Sequence, residues 1–170
     1  MAKICNVSQY VLDRQVTRVK LPAKADGTNW KQGDLVVAET LVSGTRSTYE
    51  GAEVSATKDK PVIIINQDVY KDEHGNRVEG MVNPDYIELH AGQVIKAIRP
   101  ENNTIFELSQ GCVEGTFVVG QYLVPDTTTK GLKVVAALTT EELAFKIEAV
   151  SFQGLGDDFE TTALVRTVRA

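Results

Sequence analysis

Cysteine, basic charge, aromatic rings and helical periodicity are all scarce in this chain, and each shortage speaks against a class of protein. Cys5 and Cys112 are the only two cysteines, far apart and without a Cys-x-x-Cys spacing. A disulfide framework and a zinc site are therefore not expected, and both thiols read as reduced and structural. Lys and Arg number 18 against 23 Asp and Glu, a net charge of -5, whereas a grip on a phosphate backbone needs a basic face. Aromatics at 6% supply few platforms for base stacking, so no nucleic-acid partner is expected. No stretch approaches the ~20 apolar residues of a membrane helix, and Met1-Ala2-Lys3-Ile4-Cys5-Asn6 has no apolar run behind its lysine. The expectation is a chain made and kept in a cytoplasm-like solution, with no membrane partner. Asn102-Asn103-Thr104 matches a glycosylation acceptor but, without a secretory signal, reads as a polar turn.

Signatures of common catalytic loops are missing too. There is no Gly-x-Ser-x-Gly elbow, no Gly-x-x-x-x-Gly-Lys-Ser/Thr phosphate loop and no Gly-x-Gly-x-x-Gly. At 170 residues the chain has the size of one domain, or one domain with an arm, and can remove roughly 70% of its unfolded surface from water.

What is present is strand grammar. In Leu132 to Leu138, Leu132, Val134, Ala136 and Leu138 alternate with Lys133, Val135 and Ala137, and the run answers Gly120-Gln121-Tyr122-Leu123-Val124-Pro125. The two predict a hairpin across Asp126 to Gly131, with Gly131 free to take a positive φ. Glycine, then Asp or Gln, then any residue, then an aliphatic one occurs at Gly33-Asp34-Leu35-Val36, Gly92-Gln93-Val94-Ile95 and Gly120-Gln121-Tyr122-Leu123. Each copy predicts a sharp turn just before a strand. Val62-Ile63-Ile64-Ile65, all β-branched, predicts a strand buried on both sides.

Taken in order, Ile4 to Leu21 reads as an extended arm followed by an edge strand over Gln15 to Leu21, whose Arg18 and Lys20 discourage stray pairing. Ser43 to Thr48 is a polar loop, and Asp68 to Pro84 is the least hydrophobic connection. Further strands are expected at Ile87 to Leu89, Val94 to Ile98 and Ile105 to Leu108. Phe145, Ile147 and Ala149 then alternate with Lys146 and Glu148, and Gly154 to Asp158 turns the chain into Thr161 to Val168. The one helix signal is the capping-box spacing Thr139-Thr140-Glu141-Glu142, enough for a single turn. The fold class expected is all-β: a small barrel or sandwich built from hairpins, with an N-terminal arm and little helix. Residues 1–21 form the arm and edge strand and 22–170 one β-rich domain, with an insertion-like region at about 49–84.

Candidate chemistry is thin. His74 lies among Asp72, Glu73 and Asn76, but the loop fails the EF-hand register and reads as a solvated turn. His90 has no second histidine near it in sequence and reads as a hydrogen-bonded structural residue. Gly154-Leu155-Gly156 runs into Asp157-Asp158, where two carboxylates would repel a phosphate. As neighbours on a turn they also do not span a cleft as a glycosidase pair does. Trp30, the only tryptophan, is a binding anchor or a partly buried core residue. No catalytic, cofactor-binding or metal-ligating residue is expected.

The lines Gly120 to Pro125, Lys130-Gly131-Leu132-Lys133-Val134, Phe145 to Val150 and Thr162 to Val168 resemble the head decoration (cement) proteins of tailed bacteriophages. The resemblance covers about a third of the chain. It implies a compact β-rich virion protein without enzymatic activity, made in the host cytoplasm and bound to the capsid exterior. Its partner would be the major capsid protein, which it would clamp against internal pressure, commonly as a homotrimer. An acidic net charge suits that exterior position. Family members often add a strand to the capsid with an N-terminal arm, which here would be Ile4 to Leu12 by β-augmentation. The interface residues expected are Ile4, Val7, Tyr10 and Leu12, with Trp30. Smaller members lack the region from Tyr49 to Pro84. The alternative is a non-enzymatic β-module binding a small ligand or glycan near Trp30 or the Asp157-Asp158 turn. A nucleotide pyrophosphatase of trimeric β-fold is a third class, whose motif residues are not visible.

Overall fold

The computed structural model describes residues 5–6, 15–65, 89–155 and 158–170. Its strands are β1 (Cys5–Asn6), β2 (Val16–Lys20), β3 (Leu35–Leu41), β4 (Thr48–Glu53), β5 (Val62–Ile65), β6 (Val94–Ile98), β7 (Ile105–Ser109), β8 (Val113–Glu114), β9 (Tyr122–Pro125), β10 (Leu132–Val135), β11 (Ala144–Leu155) and β12 (Asp158–Arg169). They form a closed five-stranded barrel, β2-β4-β3-β5-β6, and a seven-stranded sheet, β1-β7-β12-β11-β9-β10-β8. The protein is all-β, as its period-2 patterning implies.

The three glycine phrases share one construction. Gly33, Gly92 and Gly120 have φ of 85°, 84° and 88°, and the next residue's N–H reaches back to the carbonyl of Lys31, His90 and Val118 at 3.1, 3.2 and 3.1 Å. A glycine with positive φ at the third position of a four-residue turn is the type II requirement. Each glycine N–H also donates to a neighbouring backbone carbonyl, of Ile64, Leu21 and Ile147. So β3, β6 and β9 each begin two residues after a glycine already held to its neighbour.

Val62–Ile65 is buried throughout, and its alternation shows why. Val62 and Ile64 join Val19, Leu21, Trp30, Val36, Leu89, Ile95 and Ala97 in a cluster built from the barrel strands and the loops that close them. Ile63 and Ile65, on the other face, join Leu35 and Ile98 against Phe106, Leu108, Leu123, Phe145, Ile147 and Val165 of the large sheet. One side of the barrel wall is thus filled by the barrel and the other by the sheet packed on it. Phe106 and Phe145 meet edge to face at 5.1 Å and 84°, a favoured aromatic geometry. Polar ties join the two layers: Gln15 donates to Thr104 Oγ1 at 2.7 Å and the Leu35 N–H donates to the Lys130 carbonyl at 2.7 Å.

Several expectations are corrected. β2 is no edge strand: it pairs in parallel with β4 and antiparallel with β6, so residues 16–20 belong to the barrel and not to an arm. The insertion-like region 49–84 contains most of β4 and all of β5, two staves without which the barrel would not close. The central hairpin forms in register from Leu132↔Pro125 to Val135↔Tyr122, ending before Leu138. Its left-handed residue is Lys130 (φ 59°), not Gly131, because the Lys130 side chain is anchored on the Thr127 and Val54 carbonyls at 2.6 and 2.9 Å. No helical turn forms at Thr139: its N–H and hydroxyl donate to the nearby Glu141 carboxylate instead. The short 3-10 turn lies at Gln110–Cys112. A bulge between Ile147 and Ala149 flips the alternation, so Val150, and not Ala149, packs on the core. Leu89 makes only an isolated bridge to Trp30. Asp68 to Pro84, with His74, lies outside the described residues.

Candidate functional site

Among the described residues, one region gathers ion pairs and a second carries the most exposed large apolar side chain, Phe152. In the first, Lys24 pairs with Asp34 beside the barrel cluster, Asp126 with Lys133 in the β9–β10 hairpin, and Glu53 of the barrel with Lys130 of the hairpin loop. Lys24 Nζ lies 2.8 Å from Asp34 Oδ2, with both side chains 7% exposed. The same carboxylate oxygen accepts the Lys31 N–H at 2.9 Å, so Asp34 also closes the turn that launches β3. Glu53 accepts the Ala25 N–H at 2.8 Å and stands 3.7 Å from Lys130 Nζ.

Asp126 is buried. Burial pushes its carboxyl up, but bonds from the Thr129 hydroxyl and from the Thr129 and Thr128 amides, with the Lys133 charge, outweigh that and hold it below the usual carboxylate range. These groups bond loops and strands to one another, and each contact named here fastens backbone or a neighbouring charge.

The second region is the β11–β12 hairpin. Both strands are 12 residues long and pair from Ala144↔Arg169 to Leu155↔Asp158. β7 flanks β12 only from Arg166 to Thr162, and β9 flanks β11 only at Phe145 and Lys146. Among the described residues, the outer third of the hairpin, from the Phe152↔Thr161 pair to Leu155↔Asp158, therefore has no further strand on either side and forms a two-stranded ribbon. Phe152 on it is 75% exposed, against 0% for Phe145 and Ile147 on the same strand. At the ribbon's base the bulge residue Glu148 takes Arg166 in a two-pronged pair, Nε–Oε1 2.5 Å and Nη2–Oε2 3.2 Å. That hydrogen bonding lowers the Glu148 carboxyl and raises the Arg166 guanidinium.

The anticipated site residues are not brought together. Ile4, Val7, Tyr10 and Leu12 lie outside the described residues, as does Asp157. Trp30 is a core residue and not a surface anchor: it is 1% exposed, its Nε1 donates to the Pro22 carbonyl at 2.7 Å, and Lys24 Nζ sits 4.7 Å from the ring centroid. A ring so covered leaves no open face for a sugar. His90 is exposed, its Nδ1 3.1 Å from Asn29 Oδ1. Cys112 is buried, its Sγ 3.6 Å from the Ser109 hydroxyl. Among the described residues no three His, Cys, Asp or Glu side chains converge as a metal site, and no helix is long and apolar enough to cross a membrane. The ribbon went unseen in the sequence because alternation marks a strand without telling where its neighbours stop. The one available signal was the uncharged run Ala149 to Leu155.

No protein-family model, no curated protein and no solved structure matches this chain.

Proposed function

We propose that this chain is a structural virion protein that binds the outer surface of an assembled phage capsid and stabilises it by clamping neighbouring capsid subunits. The carrying observation is that the stretches resembling head decoration proteins, which all fall within residues 120–168, supply β9, β10, β11 and β12, consecutive members of one sheet in the order β12-β11-β9-β10. What was a likeness of rhythm along the chain is thus a single structural block, packed through Leu123, Phe145, Ile147 and Val165 onto the barrel. Such a body suits adhesion: close packing on both sides of the barrel wall resists deformation, and a clamp needs stiffness and contact area, with no tuned acid or base. The capsid subunit is the proposed partner, and closed assembly of copies, three around an axis in the family's manner, would multiply weak contacts. The test is co-sedimentation of the purified protein with undecorated heads. The protein pellets with heads and stays in the supernatant without them; an equal distribution in both tubes overturns the reading.

A further inference from the structure

The β11–β12 ribbon carries an inference that does not depend on the capsid reading. Beyond Ile147, whose N–H and C=O bond Gln121 and Gly120, the outer edge of β11 has no strand beside it among the described residues. Natural proteins guard such edges with lysine, proline, charge or brevity. The stretch Ala149-Val150-Ser151-Phe152-Gln153-Gly154-Leu155 has no charged residue and no proline, and no Lys or Arg occurs between Lys146 and Arg166. It is instead an uncharged, strand-forming window of the kind that associates when left open. The opposite strand of the ribbon begins with Asp158 and contains Glu160, so charge is confined to one side. A two-stranded ribbon is marginal by itself, while three or four strands with an apolar face are stable.

We infer that the β11 edge is a self-association site, on which the β11 edge of a second copy pairs antiparallel about a two-fold axis. Three features select a second copy as the occupant. In a chain of net charge -5, contact between copies needs a surface without carboxylates, and this edge is one. Pairing β11 with β11 leaves both acidic strands on the outside of a four-stranded ribbon, away from the seam. Full overlap of Ala149–Leu155 with itself puts Phe152 opposite its symmetry mate, where an aromatic cross-strand pair is favourable and where its exposed ring is covered. The contact is isologous and therefore doubles whatever assembly the rest of the molecule forms.

The experiment is light scattering after size exclusion on the wild-type chain and on Phe152→Lys, with circular dichroism to show that both are folded. Because Phe152 is exposed, the substitution leaves the core intact while placing two lysines face to face across the seam. The particle mass of the variant is expected to be half that of the wild type. Cross-linking gives a second readout: on a Cys5→Ser background, Phe152→Cys treated with oxidised glutathione forms a disulfide-linked dimer, since directly opposed antiparallel residues have Cα separations of ~4.5–5.5 Å. Leu164→Cys, exposed but on β12, does not. Equal masses for wild type and Phe152→Lys, or cross-linking no faster at 152 than at 164, overturns self-association and leaves the edge to a strand of a different protein.

Discussion

Replacing Asp34 by asparagine tests the energetics of the buried ion pair beside the barrel core. Asparagine keeps the shape of the side chain and an oxygen to receive the Lys31 N–H, now at 2.9 Å, but removes the charge that faces Lys24 Nζ at 2.8 Å. Both side chains are 7% exposed, so the lysine loses its close counterion with little water to replace it; what remains is the Trp30 ring, 4.7 Å from Nζ, and the weaker attraction of the Asp26 carboxylate. A cation over an indole contributes about 0.5–2 kcal/mol, too little to replace a carboxylate. Breaking a buried pair from one side costs about 3–5 kcal/mol, which in a chain of this size lowers Tm by roughly 10 °C. Lys24→Met keeps an apolar stem against the indole, and the double variant Lys24→Met/Asp34→Asn has no stranded charge. It is expected to recover at least about half of the loss. Urea titrations followed by circular dichroism, with the fluorescence of the single tryptophan as a second probe, give the four corners of the cycle. A loss below about 1 kcal/mol for Asp34→Asn, the range of a solvated surface pair, would refute the buried pairing.

Two further outcomes follow from the same geometry. A Cβ on Gly33 would stand 2.7 Å from Cys112 Sγ and 3.0 Å from its Cβ, whereas Gly92 and Gly120 have nothing within 4 Å. All three alanine variants share the strain of positive φ, about 1–2 kcal/mol, but Gly33→Ala adds overpacking of about 1–3 kcal/mol, which Cys112→Ala relieves in part by removing Sγ while its Cβ stays; chemical denaturation of the single and double variants reads the difference. For Asp126, the folded carboxyl lies below its ordinary value, so it binds its proton less readily folded than unfolded. Its contribution is present above about pH 4 and fades as pH falls through the folded value. Asp126→Asn should therefore lower Tm at neutral pH and converge on the wild type in acid, and a Tm gap that stays constant with pH would sink the assignment.

The candidate surface was only partly legible in the residues. Trp30 carries no local sign of its fate. Its burial depends on Leu89 and Pro22 reaching it, and the sequence places one of them far downstream. Phe152 and Phe145 look alike in an alternating strand, yet one is 75% and the other 0% exposed. What separates them is where β7 and β9 stop, a matter of strand lengths elsewhere in the chain.

Local chemistry by itself determined the strand-rich class, the starts of β3, β6 and β9 after their glycines, the two-sided burial of Val62–Ile65 and the pairing of β9 with β10. Each of these rests on steric preference or on side-chain period within a few residues, which the order of amino acids states outright. Only the tertiary structure decided that β2 lies between β4 and β6, joined to β4 in parallel by pairs such as Arg18↔Thr48. The same holds for Lys130 in place of Gly131 as the left-handed residue and for the bulge at Glu148 that turns Val150 inward. Those choices are made between segments distant along the chain, where the winning partner is the one whose packing closes the barrel and covers its wall.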